Sequence, residues 1–104
     1  MKQDKHRERW GYSAALSDFF HENTDSIIGK LARWLSFSVD PTQEAAWRHQ
    51  INVLRNCLAN LNTPKGHLCF EYDIPRLGRR IDVVLLLGGI VFVIEFKVGS
   101  ASFS

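Results

Sequence analysis

The sequence predicts an α+β domain in which helices precede and cover a three-stranded antiparallel sheet. Apolar residues recur at helical spacing over residues 41–61, they alternate with polar residues over 68–74, and two apolar segments then flank Gly88-Gly89. A helical period followed by a period of two predicts helix and then strand, and a two-glycine connection predicts a tight hairpin. We therefore expect the sheet to form after a long helix.

Length and composition restrict the protein to one ordinary folded domain. The chain has 104 residues, of which 45% are hydrophobic and 23% charged, and these fractions are typical of globular domains. One core is usually built from about 100 to 150 residues, which excludes a two-domain arrangement. We expect a flexible N-terminus over residues 1–10, the domain over 11–99 and a tail over 100–104, because the ends have no apolar period.

Charge, hydropathy and cysteine content exclude several other classes of protein. A net charge of +2 does not by itself indicate a nucleic-acid partner. No apolar segment reaches the length of about 20 residues that a membrane helix needs, and the first residues do not resemble a secretory signal. We therefore expect a cytoplasmic protein in which Cys57 and Cys69 are reduced thiols.

Three helices are predicted ahead of the sheet. A short helix is expected over Ser13–His21, and Thr24 can cap a second helix. Asp40-Pro41 marks the start of the long helix, because the carboxylate can accept hydrogen bonds from the first amides and proline suits the first turn. The long helix is expected to reach about residue 61 and to bury one apolar stripe. This stripe consists of Trp47, Ile51, Leu54, Leu58 and Leu61.

Three strands are predicted after the long helix. The first is Leu68–Ile74, which ends at a turn over Pro75–Gly78. A hairpin follows, with strands Arg79–Leu87 and Ile90–Val98. Because side chains alternate, one face of the hairpin is wholly apolar and requires a helical cover, whereas the other is charged at one end. The apolar face carries Ile81, Val83, Leu85, Leu87, Ile90, Phe92, Ile94 and Phe96. The other face carries Arg80, Asp82, Val84, Leu86, Val91, Val93, Glu95 and Lys97.

Two acids and a lysine at the charged end of the hairpin form the candidate catalytic site. With Gly88-Gly89 as the loop, Asp82 lies directly opposite Glu95, at a Cα separation of about 4.5 to 5.5 Å. The two carboxylates repel each other unless a cation lies between them, and hard oxygen ligands suit Mg²⁺ or Mn²⁺. Lys97 projects from the same face, where its ammonium can contact a phosphate or a water.

Each of these three residues also has an ordinary explanation. Asp82 can pair with Arg79 or Arg80, Glu95 can pair with Lys97 or Arg80, and Lys97 can protect an edge strand from aggregation. We favour the metal site because a charge inside an apolar strand is costly, and because the two acids and the lysine occur together.

Further polar residues are candidates for supporting roles. A four-residue turn places Glu71 beside Asp82, whereas a slip of one residue moves Glu71 to the opposite face. Gln43 and Glu44 lie at the start of the long helix, from which a side chain can reach the site, although capping also explains Gln43. The cluster of arginines near the turn suits phosphate contacts, with a solvated turn as the alternative. It consists of Arg76, Arg79 and Arg80.

The pattern Ile81-Asp82, twelve further residues and then Glu95-Phe96-Lys97 resembles the PD-(D/E)XK nuclease superfamily. Over about residues 10 to 99 the chain is similar to the nuclease-like N-terminal region that precedes Schlafen-type predicted DNA/RNA helicase domains. The similarity is carried by residues 70–85 and 93–99, by Gln43, Trp47 and Gln50, and by the opening around Tyr12-Ser13 and Phe19-Phe20.

This resemblance implies a restriction-endonuclease-like αβββαβ core and the hydrolysis of nucleic-acid phosphodiester bonds, with DNA favoured over RNA. Asp82, Glu95 and the Phe96 carbonyl would hold Mg²⁺ or Mn²⁺, and Lys97 would orient the attacking water or stabilise the transition state. Family members often add a helical carboxylate, for which Glu44 is the candidate here.

The resemblance also suggests partners. The final helix and fourth strand of the core are missing, so the third strand would be an open edge, and such an edge favours a homodimer. The resemblance also implies a helicase partner or a missing C-terminal region. Because the sequence has no glycine-rich phosphate-binding loop, any ATPase would lie outside it. The alternatives are an inactive nucleic-acid-binding or assembly module and a fragment of a larger helicase-linked protein.

Overall fold

A computed structural model describes residues 8–36, 39–61 and 65–97; the predictions for residues 1–7 and 98–104 lie outside this part of the chain. The domain is α+β, as the change of periodicity predicted. In chain order its elements are β1 (Tyr12–Ala15), α1 (Leu16–His21), α2 (Thr24–Leu35), α3 (Pro41–Leu58), β2 (Gly66–Ile74), a 3₁₀ turn (Pro75–Leu77), β3 (Arg79–Leu87) and β4 (Ile90–Ile94).

The three predicted strands are present as β2, β3 and β4, and β1 adds a fourth that was not predicted. The sheet is antiparallel throughout, in the order β1-β2-β3-β4. The short predicted helix therefore begins at Leu16 and not at Ser13. Tertiary pairing overrides the local pattern here, because Tyr12 pairs with Phe70 and its ring is buried against Phe70 and Phe19.

The strand register agrees with the glycine and turn signals. Phe70 pairs with Val83 and Tyr72 with Ile81, so Glu71 falls opposite Asp82, as the four-residue turn predicted. Leu87 pairs with Ile90 across Gly88-Gly89, and both glycines have positive φ, as a primed hairpin turn requires. The last strand ends at Ile94, whereas the prediction extended it to Val98, so the expected ladder pair between Asp82 and Glu95 does not form.

The helices begin at short capping signals. Asp40 accepts a hydrogen bond from the Gln43 amide at 2.9 Å, which confirms the predicted cap of α3. The cap of α2 is Asn23 and not Thr24, since the Asn23 side chain accepts from the Asp25 amide. The long helix ends at Leu58, and Leu61, which was expected on its buried stripe, is exposed.

The helices cover one face of the sheet over β1, β2 and β3. Val83 and Leu85 of β3 are buried together with the α3 stripe and Phe70. Complete helical cover of the apolar hairpin face was the wrong expectation, because Ile90 and Phe92 of β4 are 57% and 43% exposed. The cover therefore ends at β3.

Residues 8–10 contact the folded domain, which the sequence predicted to begin at residue 11. The Trp34 indole donates to the Glu8 carbonyl at 2.8 Å, and the Asp73 amide donates to the Arg9 carbonyl at 2.7 Å. Residues 8–10 thus belong to the folded domain.

Cys57 and Cys69 are both free thiols. Within the described residues, no helix has the length and apolarity that crossing a bilayer requires.

Candidate functional site

A cavity of about 780 Å³ lies between α3 and the sheet residues at the start of β3. Four parts of the chain contribute side chains to it. Helix α3 contributes Gln43, His49 and Gln50, strand β2 contributes Glu71, strand β3 contributes Arg79, Arg80 and Asp82, and the segment after β4 contributes Lys97 and the apolar Phe96. Acidic, basic and amide groups that are distant in sequence therefore meet in one concave site.

Asp82 links the sheet to the segment that follows β4. Its Oδ2 accepts a hydrogen bond from the Phe96 amide at 2.8 Å, and the side chain is half-buried. The Phe96 ring in turn meets His49 of α3 edge-on, at a centroid separation of 6.2 Å. The peptide before Phe96 thus holds one oxygen of Asp82 in place.

Strict alternation along β3 would place Asp82 and Arg80 on the face away from buried Val83. Both residues nevertheless line the cavity together with α3. Glu71, on the neighbouring strand β2, has a φ of 60°. It lies opposite Asp82, where the β2–β3 ladder has no residue pair. The sequence predicted Arg80 and Asp82 on the face opposite the apolar one, whereas the structure has both side chains at the cavity beside α3.

Glu71 is the most buried acid of the cavity, with 5% of its surface exposed. Its Oε2 accepts from the Trp47 indole at 3.1 Å, and its Oε1 lies 3.4 Å from the Arg80 guanidinium. Burial raises the pKa of the Glu71 carboxyl, and the negative charges of Asp82 and Glu95 act in the same direction, while Trp47 and Arg80 oppose them. The structure thus brings Glu71 to the site.

Glu95 lies outside the cavity wall. Its exposed carboxylate pairs with Arg79, with Oε2 at 3.2 Å from Nη2, and Glu95 is not among the described residues that line the cavity. The predicted face-to-face arrangement of Asp82 and Glu95 is thus replaced by two neighbouring contacts. Asp82 binds the Phe96 amide, and Glu95 binds Arg79.

The remaining predicted site residues divide into two groups. Gln43, Arg79, Arg80 and Lys97 line the cavity. Glu44 does not contribute to its described lining, because it pairs with Arg48, which also holds Asp25 of α2. Arg76 is exposed in the 3₁₀ turn and also lies outside that lining.

Gln50 lines the cavity but was not among the predicted site residues. It is 6% exposed, and its Oε1 has no hydrogen-bond partner among the described residues. A signal was present in the sequence, since Gln50 lies three residues after Trp47 and four before Leu54, on the buried face of α3. A polar residue inside an apolar stripe requires a partner or a function.

The acids do not form a dense cluster of metal ligands. Among the described residues, no group of three or more His, Cys, Asp or Glu side chains is arranged to hold a metal ion. Hard cations are also bound by side-chain amide oxygens and backbone carbonyls, which such a group of four residue types does not include.

Comparisons of the chain with family models, with curated proteins and with solved structures found no match. The geometry of the cavity is therefore the basis for a functional proposal.

Proposed function

We propose that this chain is a metal-dependent nuclease domain that hydrolyses phosphodiester bonds of nucleic acid. The observation that carries the proposal is the composition of the cavity, which combines the carboxylate of Asp82 with the cationic groups of Arg79, Arg80 and Lys97. A phosphodiester is an anion whose reaction is promoted by a hard divalent cation, so a nuclease needs both kinds of group within one site. The sequence resemblance to PD-(D/E)XK nucleases is in accord with this proposal.

The arginines supply the phosphate-binding part of the cavity. A guanidinium group presents several donors in one plane and suits the oxygens of a phosphate. Arg80 is oriented by two neighbours, since it lies 3.4 Å from Glu71 and its guanidinium is 5.6 Å from the centre of the Trp34 ring. Contacts of this kind would position the nucleic-acid backbone without reading its bases.

The oxygen donors of the cavity fit a hard cation such as Mg²⁺ or Mn²⁺. Among the described residues, the Phe96 amide binds Oδ2 of Asp82, and Oδ1 would be available to a metal ion. A bound divalent ion would supply positive charge that polarises the phosphate and makes a water molecule a better nucleophile. The resemblance implies Glu95 and the Phe96 carbonyl as further ligands, but Glu95 pairs with Arg79 and is not part of the described lining of the cavity.

Lys97 would act on the reacting groups directly. Its side chain borders the cavity and is exposed, so a substrate can approach it. An ammonium group in this position can donate to a phosphate oxygen or orient the attacking water, and the charge that develops in the transition state is stabilised by it.

The test is a cleavage assay on the purified chain with single- and double-stranded DNA and with RNA, in Mg²⁺ or Mn²⁺. We expect Lys97→Ala to reduce cleavage by about 10²- to 10³-fold and Asp82→Asn by at least as much. Glu44→Gln is the matched control, because that carboxylate is held by Arg48 outside the described lining of the cavity. Equal cleavage by the wild type and Lys97→Ala would refute the proposal.

A second candidate function is that of an inactive module that binds nucleic acid without catalysis. It is favoured by the ion pair of Glu95 with Arg79, which occupies one of the acids that the nuclease motif would use. DNA binding that weakens with salt but yields no product in any metal would support this alternative. Product formation that depends on Mg²⁺ and on Asp82 would exclude it.

A further inference from the structure

We propose that Asp82, Glu71 and Gln50 hold the metal ion, and that Glu95 lies outside its coordination shell. This inference rests on the proposed function, because it names the ligands on which the nuclease activity would depend. It departs from the set that the sequence motif implies, which is Asp82, Glu95 and the Phe96 carbonyl.

The side-chain oxygen of Gln50 points to a bound metal ion. Its Oε1 is buried and has no partner among the described residues, although Gln50 lines the cavity. A buried carbonyl oxygen without a hydrogen bond is destabilising, so a fold keeps one only when something else satisfies it. Side-chain amide oxygens are regular ligands of hard cations, either directly or through a coordinated water.

Glu71 is the second proposed ligand, because it lines the same cavity as Gln50. Its φ of 60° is uncommon for a residue other than glycine, and backbone conformations of this kind concentrate at functional sites. The Trp47 indole anchors Oε2, while Oε1 has only a long contact of 3.4 Å to Arg80. A divalent ion would share Oε1 with Arg80, whose guanidinium already compensates part of the charge of this buried carboxylate.

Asp82 and Glu95 differ in the way that the proposal requires. Asp82 borders the cavity and is fixed through one oxygen by the Phe96 amide. Glu95 is exposed, pairs with Arg79 and does not contribute to the described lining of the cavity. The proposed set of two carboxylates and one amide balances the charge of one divalent cation and consists of oxygen donors alone.

The experiment measures Mn²⁺ binding to the full chain by electron paramagnetic resonance of the free ion, without substrate. We expect Gln50→Leu to weaken Mn²⁺ binding by on the order of tenfold or more, as loss of an orienting or coordinating group does. Gln50→Glu should tighten binding, because it adds a charged oxygen ligand. Glu95→Gln should leave the dissociation constant within about twofold, like the surface control Glu44→Gln.

The possible outcomes separate this inference from the proposed function. If the wild type binds Mn²⁺ and Glu95→Gln abolishes binding while both Gln50 variants bind normally, the ligand set is wrong but the metal-dependent function survives. If the wild type binds no Mn²⁺ at millimolar concentration, both proposals fail. Thermal unfolding without metal verifies that each variant folds, and Gln50→Glu decides the question if Gln50→Leu does not fold.

Discussion

Strands β3 and β4 belong to one hairpin and are similarly apolar beyond Asp82, yet the helices cover only one of them. Val83 and Leu85 of β3 are buried under the helical layer, whereas Ile90, Val91, Phe92 and Val93 of β4 are exposed. Hydrophobic character is therefore insufficient to bury a strand. What decides is whether the helices extend over it, and here the helical cover ends at β3.

The candidate site lies near the limit of this cover. Asp82 belongs to the covered strand, whereas Phe96 and Lys97 follow the uncovered one, and the hydrogen bond from the Phe96 amide to Asp82 joins the two. Loops and strand ends on a rigid scaffold are common positions for functional groups. The covered half positions the acids, and the segment after β4 brings the lysine.

The largest effect is expected from a pair of neighbouring leucines on β3. Leu85 is 4% exposed and Leu86 41% exposed. Leu85→Ala should lower the free energy of unfolding by about 2–5 kcal/mol, because it leaves a cavity in the core. Leu86→Ala should cost less than about 1 kcal/mol. Urea denaturation measures both, and equal losses would show that the outer face of β3 is also covered in solution.

The uncovered strand is expected to cause self-association. In the described part of the chain no strand pairs with the outer edge of β4, and its five residues carry no charge or proline that would discourage pairing. We expect the wild type to form dimers through this edge and Val93→Lys to weaken them by more than about tenfold, since two like charges would meet there. A wild type that sediments as a monomer at high concentration would contradict this expectation.

A smaller effect is expected at the start of the helix that covers β3. Asp40→Ala removes the cap of α3 and should cost about 0.5–2 kcal/mol of stability. Asp25→Ala is the matched control in the first turn of α2, because its exposed ion pair with Arg48 is screened by solvent and should contribute little to stability. Thermal unfolding compares the two, and similar losses would contradict the capping role of Asp40.

The last prediction contrasts a structural acid with the cavity acid Glu71. Burial acts to raise the pKa of Glu22, but hydrogen bonds from Lys30, Tyr12 and Ser26 outweigh it and lower the pKa below its ordinary value. An acid whose pKa is lower in the folded than in the unfolded state stabilises the fold at a pH above the unfolded-state pKa. This contribution is lost as the pH falls through the folded-state pKa. Glu22→Gln should therefore destabilise the protein at neutral pH and progressively less in acid.

For Glu71 the direction is opposite, because burial raises its pKa. Ionisation of Glu71 destabilises the folded state once the pH rises above the pKa that this carboxyl has in the unfolded chain. The stability of Glu71→Gln relative to the wild type should therefore increase from acid toward neutral pH. Melting temperatures measured against pH with a chelator present test both signs. Parallel profiles for the two variants would contradict the assignment of one structural and one cavity acid.

Much of the fold could be predicted because its signals are local. Asp40-Pro41 marks the start of α3, and Gly88-Gly89 sets the hairpin register by the conformations that its turn allows. The strand Tyr12–Ala15 was missed, since its pairing with β2 depends on residues more than fifty positions away. Local propensity contains no information about such a partner.

The candidate site was predicted only in part. Asp82, Lys97 and Glu71 were selected from spacing, and the structure brings all three to the cavity. The ion pair of Glu95 with Arg79 was not foreseen, because β4 ends one residue before Glu95 and ladder geometry no longer applies there. The sequence shows Gln50 as a polar residue on an apolar stripe. It does not show that this side chain lines a cavity or that its oxygen has no partner among the described residues.

By itself the sequence determined the order of helix and strands, the start of α3 and the position of the hairpin turn, because each depends on a few adjacent residues. Only the tertiary structure decided that β1 joins the sheet, that β4 stays uncovered and that Gln50 shares a cavity with Glu71 and Asp82. These features depend on packing between distant segments, which the local alternation of side chains does not encode.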